Sequence, residues 1–209
     1  MVDDPHPGPE TSRWLLGRAP RFARLWAAKA VSHLGDGAAL VALIVYVQQT
    51  QGRGVAVSAL LLAATLPTLL GPLAGALVDR VEQRRLMHGA QAGQALLYGA
   101  MAAVLPPFPV LLVLVAAASL LATVFAPAGR SVVPSLVPPG DLVRANSWMG
   151  MALTFQGTIG PAVGGVLVAG AGVRGALWGN ALSFGISAAL VAGLPPLPPR
   201  GPTASGWGC

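Results

Sequence analysis

The chain has 209 residues, of which 54% are hydrophobic and only 10% charged, and its mean hydropathy is +0.66. An ordinary soluble domain carries about 25% charged residues, so this composition excludes one and describes a protein built for lipid. The net charge of +6 does not indicate nucleic acid: most of the 13 Lys and Arg lie outside the apolar runs, and no basic cluster is interleaved with aromatics. The single cysteine, Cys209, is the last residue, which rules out an intramolecular disulfide or a thiolate metal site.

Residues 1–24 read as a cytosolic lead. Residues 1–12 lack the basic and apolar regions of a cleavable signal and suit a disordered segment. From Arg13 to Trp26, arginines at 13, 18, 21 and 24 alternate with Trp14, Phe22 and Trp26. This pattern suits either a stretch lying on anionic headgroups or ordinary flanking charges with an aromatic belt. Residues 25–194 then hold six apolar runs long enough to cross, at about 25–48, 56–78, 86–105, 109–128, 146–171 and 175–194. Each must be helical, because a backbone amide in hydrocarbon has to bond within its own segment. The expected fold class is an all-α membrane protein with one bundle of six transmembrane helices.

The first run, Leu25 to Val47, contains Asp36 within Gly35-Asp36-Gly37. Eleven helical residues past Leu25 at about 1.5 Å each reach roughly 16 Å, half of a ~30 Å hydrocarbon layer. An Asp at that depth costs about 2.5 to 3.5 kcal/mol to insert, so it is a candidate for ion or substrate handling. Lys29, His33 and Asp36 share one helix face, with Lys29 able to snorkel to headgroups and His33 one turn from the acid. Two readings of Asp36 stand. In one it faces a central cavity and alternates between protonated and ionised forms, with His33 as its partner in coupling. In the other, a kink at the flanking glycines loosens backbone amides that the carboxyl merely satisfies.

The remaining breaks carry turn chemistry: Gln51 to Gly54, Asp79 to Arg85, Pro106-Pro107, Pro138 to Asp141, and Gly170 to Gly175. Residues 195–209 form a Pro/Gly-rich tail that cannot continue a helix. Sorting the basic residues by loop puts eleven on the side of the N-terminus and two, Arg53 and Arg174, on the other. The positive-inside bias then places both termini in the cytosol of a multi-pass plasma-membrane protein. Within the spans, Thr65, Gln91, Gln94, Gln156 and Asn180 either line a cavity or bond between helices, the second being the expectation for most of them. Trp148 and Trp178 are expected as interfacial anchors.

Between the second and third runs, Gly71, Gly75 and Asp79 recur at steps of four and are followed by Arg80, Arg84 and Arg85. This resembles the loop motif of the major facilitator superfamily, in which such a cluster latches the cytosolic gate. The fifth run carries Gly157, Gly160, Pro161, Gly164 and Gly165, which looks like the glycine-proline packing motif of that superfamily's exporters and antiporters. Phe125 to Pro138, Leu142 to Asn146, and Ser32 to Gly37 are similar to its macrolide-type and siderophore exporters. The likeness covers about residues 20–195. It implies a secondary transporter for drugs or secondary metabolites, working by alternating access on an ion gradient, with the bilayer and a small molecule as partners. In two respects the chain departs from that pattern. No charge occurs from Val110 to Pro127, where many drug/proton antiporters carry an arginine, and the chain has six spans where the superfamily has twelve.

The chain therefore reads as an N-terminal six-helix half. A second expectation is that it is a truncated or split product, the tail being a cut linker, that functions only with a second half or as a homodimer. On that view the Gly157–Gly165 groove and the Gly71/Gly75/Asp79 face would lie poorly covered, awaiting the partner. No phosphate-binding glycine loop, metal-ligand set or nucleophile-base constellation occurs, so neither an enzyme nor a cofactor is expected.

Overall fold

A computed structural model describes residue 17, residues 19–71 and residues 81–195. Six helical elements run through them: α1 (Pro20–Gln51), α2 (Gly54–Thr65, continued by a 3-10 turn over Leu66–Leu70), α3 (Gln83–Val104), α4 (Phe108–Leu136), α5 (Leu142–Gly157) and α6 (Ile159–Ala192), the last made of two helical arms that meet at Gly172. Three stretches are long and apolar enough to cross a membrane: Pro20–Gln51, Phe108–Leu136 and the 54 residues of Pro139–Ala192. At about 1.5 Å per residue the last would measure roughly 80 Å, more than twice a ~30 Å hydrocarbon layer, so it makes two passes. The reversal falls at Gly172, whose φ of 70° and ψ of 178° are non-helical and open chiefly to glycine. Helix α3 has the length of a span but carries Gln83, Arg84, Arg85, His88, Gln91 and Gln94, which lower its hydropathy.

The helix ends follow local chemistry. Gly52 closes α1 at φ 63°, its N–H bonding back to the Gln48 carbonyl at 3.0 Å. Helix α5 stops at Gly157 because Pro161, four residues on, has no N–H to offer the Gly157 carbonyl and its ring crowds it. The expected bend of the fifth span is therefore a break between α5 and α6 at Thr158. The fourth span runs longer than expected. Pro127 and Pro134 lie inside α4 rather than ending it, and the helix continues to Leu136. Helix α1 begins at Pro20, before the expected start at 25, and buries Phe22 and Leu25 completely.

Helix α1 is the hub and packs most extensively on α6, which in turn packs on α3. The core is divided. One apolar cluster joins Phe22, Leu25, Met87, Phe125, Met149 and Val191 at the end where α1 begins. The other joins Leu43, Leu60, Met101, Leu111, Leu177 and Phe184 toward the opposite end. Between them four helices bury polar side chains: Ser32 on α1, Gln91 and Gln94 on α3, Thr123 on α4, Ser183 and Ser187 on α6. Large apolar residues such as Leu62, Leu69, Val113 and Val166 are exposed, as a lipid-facing surface requires.

The expected open groove along Gly157–Gly165 is largely filled from within. A Cβ on Gly160 would lie 2.8 Å from the Gly37 Cα, and one on Gly164 would lie 2.7 Å from the Ala38 Cα, so α1 occupies that face. Gly157 and Gly165, on other faces, have nothing within 4 Å, and neither does Gly71. Replacing Gly164 with Leu is expected to force α1 from α6 and cost at least about 1–3 kcal/mol. Gly165→Leu, pointing into open space, is expected to change little. Thermal unfolding of both variants in detergent checks this, and equal melting temperatures would refute the assignment of faces.

Candidate functional site

The polar middle layer is assembled by α1, α3, α5 and α6 around Asp36. Helix α1 is continuous through Gly35-Asp36-Gly37, so no kinked backbone is present for the carboxyl to satisfy. The two glycines serve close approach instead. A Cβ on Gly35 would collide with the side chains of Ser183 and Asn180, and one on Gly37 would collide with the Gln156 carbonyl oxygen. Asp36 is half-buried, and its carboxyl faces Asn180. Asn180 is 1% exposed, and its Nδ2 is buried without a hydrogen-bond partner. Its side-chain oxygen is within reach of the Ser183 hydroxyl, whose one proton goes either to Asn180 Oδ1 at 3.1 Å or to the Asn180 backbone oxygen at 2.8 Å.

Other groups complete the layer. Tyr98 of α3 stacks on Phe184 with ring centroids 5.5 Å apart and lies within electrostatic range of Asp36. His33 faces Gln156 of α5, and its Nδ1 is buried without a partner. Lys29 does not snorkel. It is 7% exposed and runs over α4, its Cε 3.3 Å from the position a Cβ would take on Gly129. Gln91 donates from Nε2 to the Ser187 hydroxyl at 2.7 Å, which ties α3 to α6 and leaves its Oε1 buried and unpaired. Gln94 is buried on the same face of α3. Of the sequence-derived candidates, the structure brings Asp36, His33, Gln156 and Asn180 together and places Gln91 and Gln94 in the adjoining α3–α6 seam. Thr65 is elsewhere, exposed and bonded to its own helix through the Leu61 carbonyl at 2.8 Å.

Tyr98, Ser183 and Ser187 were not among those candidates. Their signal is spacing: Asn180, Ser183 and Ser187 fall at i, i+3 and i+7, one stripe of α6, and Gln91, Gln94 and Tyr98 repeat that spacing on α3. Also unforeseen is a clamp at the basic end. Arg24 Nη1 donates to the Gly193 carbonyl at 2.9 Å and Arg84 Nη2 to the Ala192 carbonyl at 2.6 Å, capping the last turn of α6. These carbonyls have no helical partner and carry the negative end of the helix dipole. Arg85 pairs with Glu82 at the surface. Of the expected gate residues, Gly75, Asp79 and Arg80 lie outside the described residues. Trp148, expected as an anchor, instead meets Trp26 edge to face at 5.4 Å and accepts its indole N–H on the backbone oxygen at 2.8 Å.

Among the described residues no group of three or more His, Cys, Asp or Glu is placed to hold a metal ion. The site offers one acid surrounded by neutral and basic donors inside a helical bundle, a setting for taking up and releasing a proton or holding a cationic group.

Comparison with known proteins agrees with this architecture. Residues 25–206 match the Major Facilitator Superfamily. The chain is 31% identical over 191 residues to the multidrug efflux pump Tap of Mycobacterium tuberculosis, covering 85% of this chain and 44% of that protein. It is 30% identical over 154 residues to macrolide efflux protein A of Streptococcus pyogenes, covering 70% of this chain and 38% of the other. With the uncharacterized MFS-type transporter YfiS of Bacillus subtilis it shares 28% identity over 173 residues, 82% of this chain and 41% of that one. The chain thus spans about two-fifths of the length of the curated relatives it matches. No solved structure matches it.

Removing both capping arginines with Arg24→Gln and Arg84→Gln is expected to fray the last turn of α6, at about 0.3–1 kcal/mol for each charge. Backbone amides of residues 189–193 should then exchange with deuterium faster, by up to about fivefold for each arginine lost. Unchanged exchange there would show that the caps hold nothing.

Proposed function

We propose, from the premise that this chain belongs to the Major Facilitator Superfamily, that it forms the N-terminal six-helix half of a secondary transporter. The transporter exports drugs or secondary metabolites by alternating access, using an ion gradient. The observation that carries this reading is Asp36: an acid placed mid-span on the hub helix, turned into the bundle and met there by Asn180 of α6 and Tyr98 of α3. A carboxyl in that position is costly in lipid, and its proton occupancy changes the charge of the interior between the two faces of the membrane. The neighbours favour a proton over a metal cation as the coupling ion. Asn180 Nδ2 and the Tyr98 hydroxyl are donors, whereas sodium or another hard cation needs a cage of oxygen lone pairs. That Tap is a multidrug efflux pump and the streptococcal relative a macrolide efflux protein supports drug-like cargo and outward transport.

The bundle sits in the plasma membrane with both termini in the cytosol, as the eleven-to-two division of basic residues indicates. The clamp of Arg24 and Arg84 on α6 then lies at the cytosolic rim, and Arg84 follows Asp79 and Arg80 by a few residues in the sequence. There the arginine-rich loop serves as the gate latch. Because the chain spans two-fifths of its relatives, a second reading has specific support: transport requires a second six-helix half or a second copy of this chain.

The test is efflux driven by a pH gradient in vesicles that carry the chain, alone or co-expressed with a C-terminal half. Asp36→Asn is expected to reduce gradient-driven efflux at least about tenfold, the effect of losing a group that acts in the transfer itself, while Asp36→Glu retains part of it. Full pH-dependent efflux by Asp36→Asn would overturn the assignment. Efflux by the chain alone would remove the need for a partner.

A further inference from the structure

Asn180 is the most constrained polar residue of the middle layer, and the reading of Asp36 alone gives it no task. It is 1% exposed on α6, with an amide whose oxygen is bonded and whose nitrogen is not. A buried amide N–H left without an acceptor is unfavourable, so its orientation needs a cause. Two features supply one. The Ser183 hydroxyl holds Oδ1 from one turn along the same helix, which directs Nδ2 away from the α6 backbone. Gly35, lacking a side chain, lets Asn180 and Ser183 press against α1 at the residue next to Asp36.

We infer that Asn180 is the positioning residue for Asp36: its side-chain amide, aimed by Ser183 and admitted by Gly35, fixes the Asp36 carboxyl in the bundle interior and links its state to α6. This rests on the proposed role of Asp36 and extends it to a second helix. The other ionisable groups around Asp36 are His33, one turn away on its own helix and itself next to Lys29, and Tyr98 of α3. Those in view from α5 and α6 are neutral: Gln156, which faces His33, and Asn180 with Ser183.

An amide suits this task better than a hydroxyl or a charge. It donates through Nδ2 to an ionised carboxylate and, turned over, accepts through Oδ1 from a protonated one. Ser183 permits that turn because its hydroxyl also bonds the Asn180 backbone oxygen at 2.8 Å and keeps a partner when Oδ1 leaves. A change of proton occupancy at Asp36 therefore reaches α6, the helix whose far end Arg24 and Arg84 clamp.

The test reads the carboxyl group directly and needs no transport. The chain is reconstituted in lipid vesicles, and the infrared band of the Asp36 carboxyl is identified as the band that Asp36→Asn removes. In Asn180→Leu, which keeps the volume and removes the amide, the band is expected to shift, because the polar group that faces the carboxyl is gone. In Ser183→Ala, which keeps Asn180 but frees it, the band is expected to broaden. A band unchanged in Asn180→Leu, with helicity retained by circular dichroism, overturns the proposal. Should Asn180→Leu fail to fold, Ser183→Ala decides, and an unchanged band there overturns it equally. Failure of the Asp36 reading would appear separately, as undiminished efflux by Asp36→Asn while the band still responds to position 180.

Discussion

The close approach of α1 to α6 at Gly37 against Gly160 and Ala38 against Gly164 is the contact on which the rest of the bundle depends. In lipid, helices gain little from burying apolar surface, because the tails outside are as apolar as the side chains within. Association rests on packing at short range and on hydrogen bonds between helices, and both need backbones that come near. Three glycines and an alanine supply that nearness. Once α1 is seated, Gly35 meets Asn180 and Ser183, Asp36 is turned inward, and His33 and Lys29 follow on the same face.

The division of the core follows from the same geometry. Apolar clusters at either end of the bundle give it rigidity, while the layer between them carries polar groups that are only partly satisfied: His33 Nδ1, Gln91 Oε1 and Asn180 Nδ2. A packing core alone would not retain such groups, since each unpaired atom is unfavourable. They gather around the only acid set within α1, which sets this layer apart from the two apolar clusters and is the ground for the proposed role of Asp36. At the basic end, the arginine caps on α6 join helices 1, 3 and 6, the same three that meet around Asp36.

Much of this was legible in the sequence, for identifiable reasons. Spans announce themselves by length and hydropathy, because lipid admits few alternatives to a helix, and Asp36 stood out because a mid-span charge is rare. Gly160, Pro161 and Gly164 were legible as a packing motif, but not the identity of the helix they receive: small residues declare a close contact without naming the partner, so α1 took a place expected for another bundle. Lys29 was misjudged because its distance from the span end suggests snorkelling, while the room above Gly129 that lets it fold inward depends on tertiary structure. The fourth run was expected to end near residue 128, yet the helix runs on through Pro127 and Pro134 to Leu136. Arg84 read as part of the gate motif and Arg24 as part of the basic, aromatic lead, and their bonds to carbonyls more than a hundred residues away have no local signature.

The account stands on α1 being enclosed, with position 36 facing the interior and not the lipid. Its most direct test is thiol labelling of single cysteines in membranes, with Cys209 replaced by Ser. Cysteines placed at 36, 62 and 166 are exposed to a maleimide that dissolves in the hydrocarbon. The account predicts rapid modification at 62 and 166, where the native Leu62 and Val166 are 59% and 73% exposed, and much slower modification at the half-buried position 36. Modification of position 36 at the rate of position 62 would contradict it.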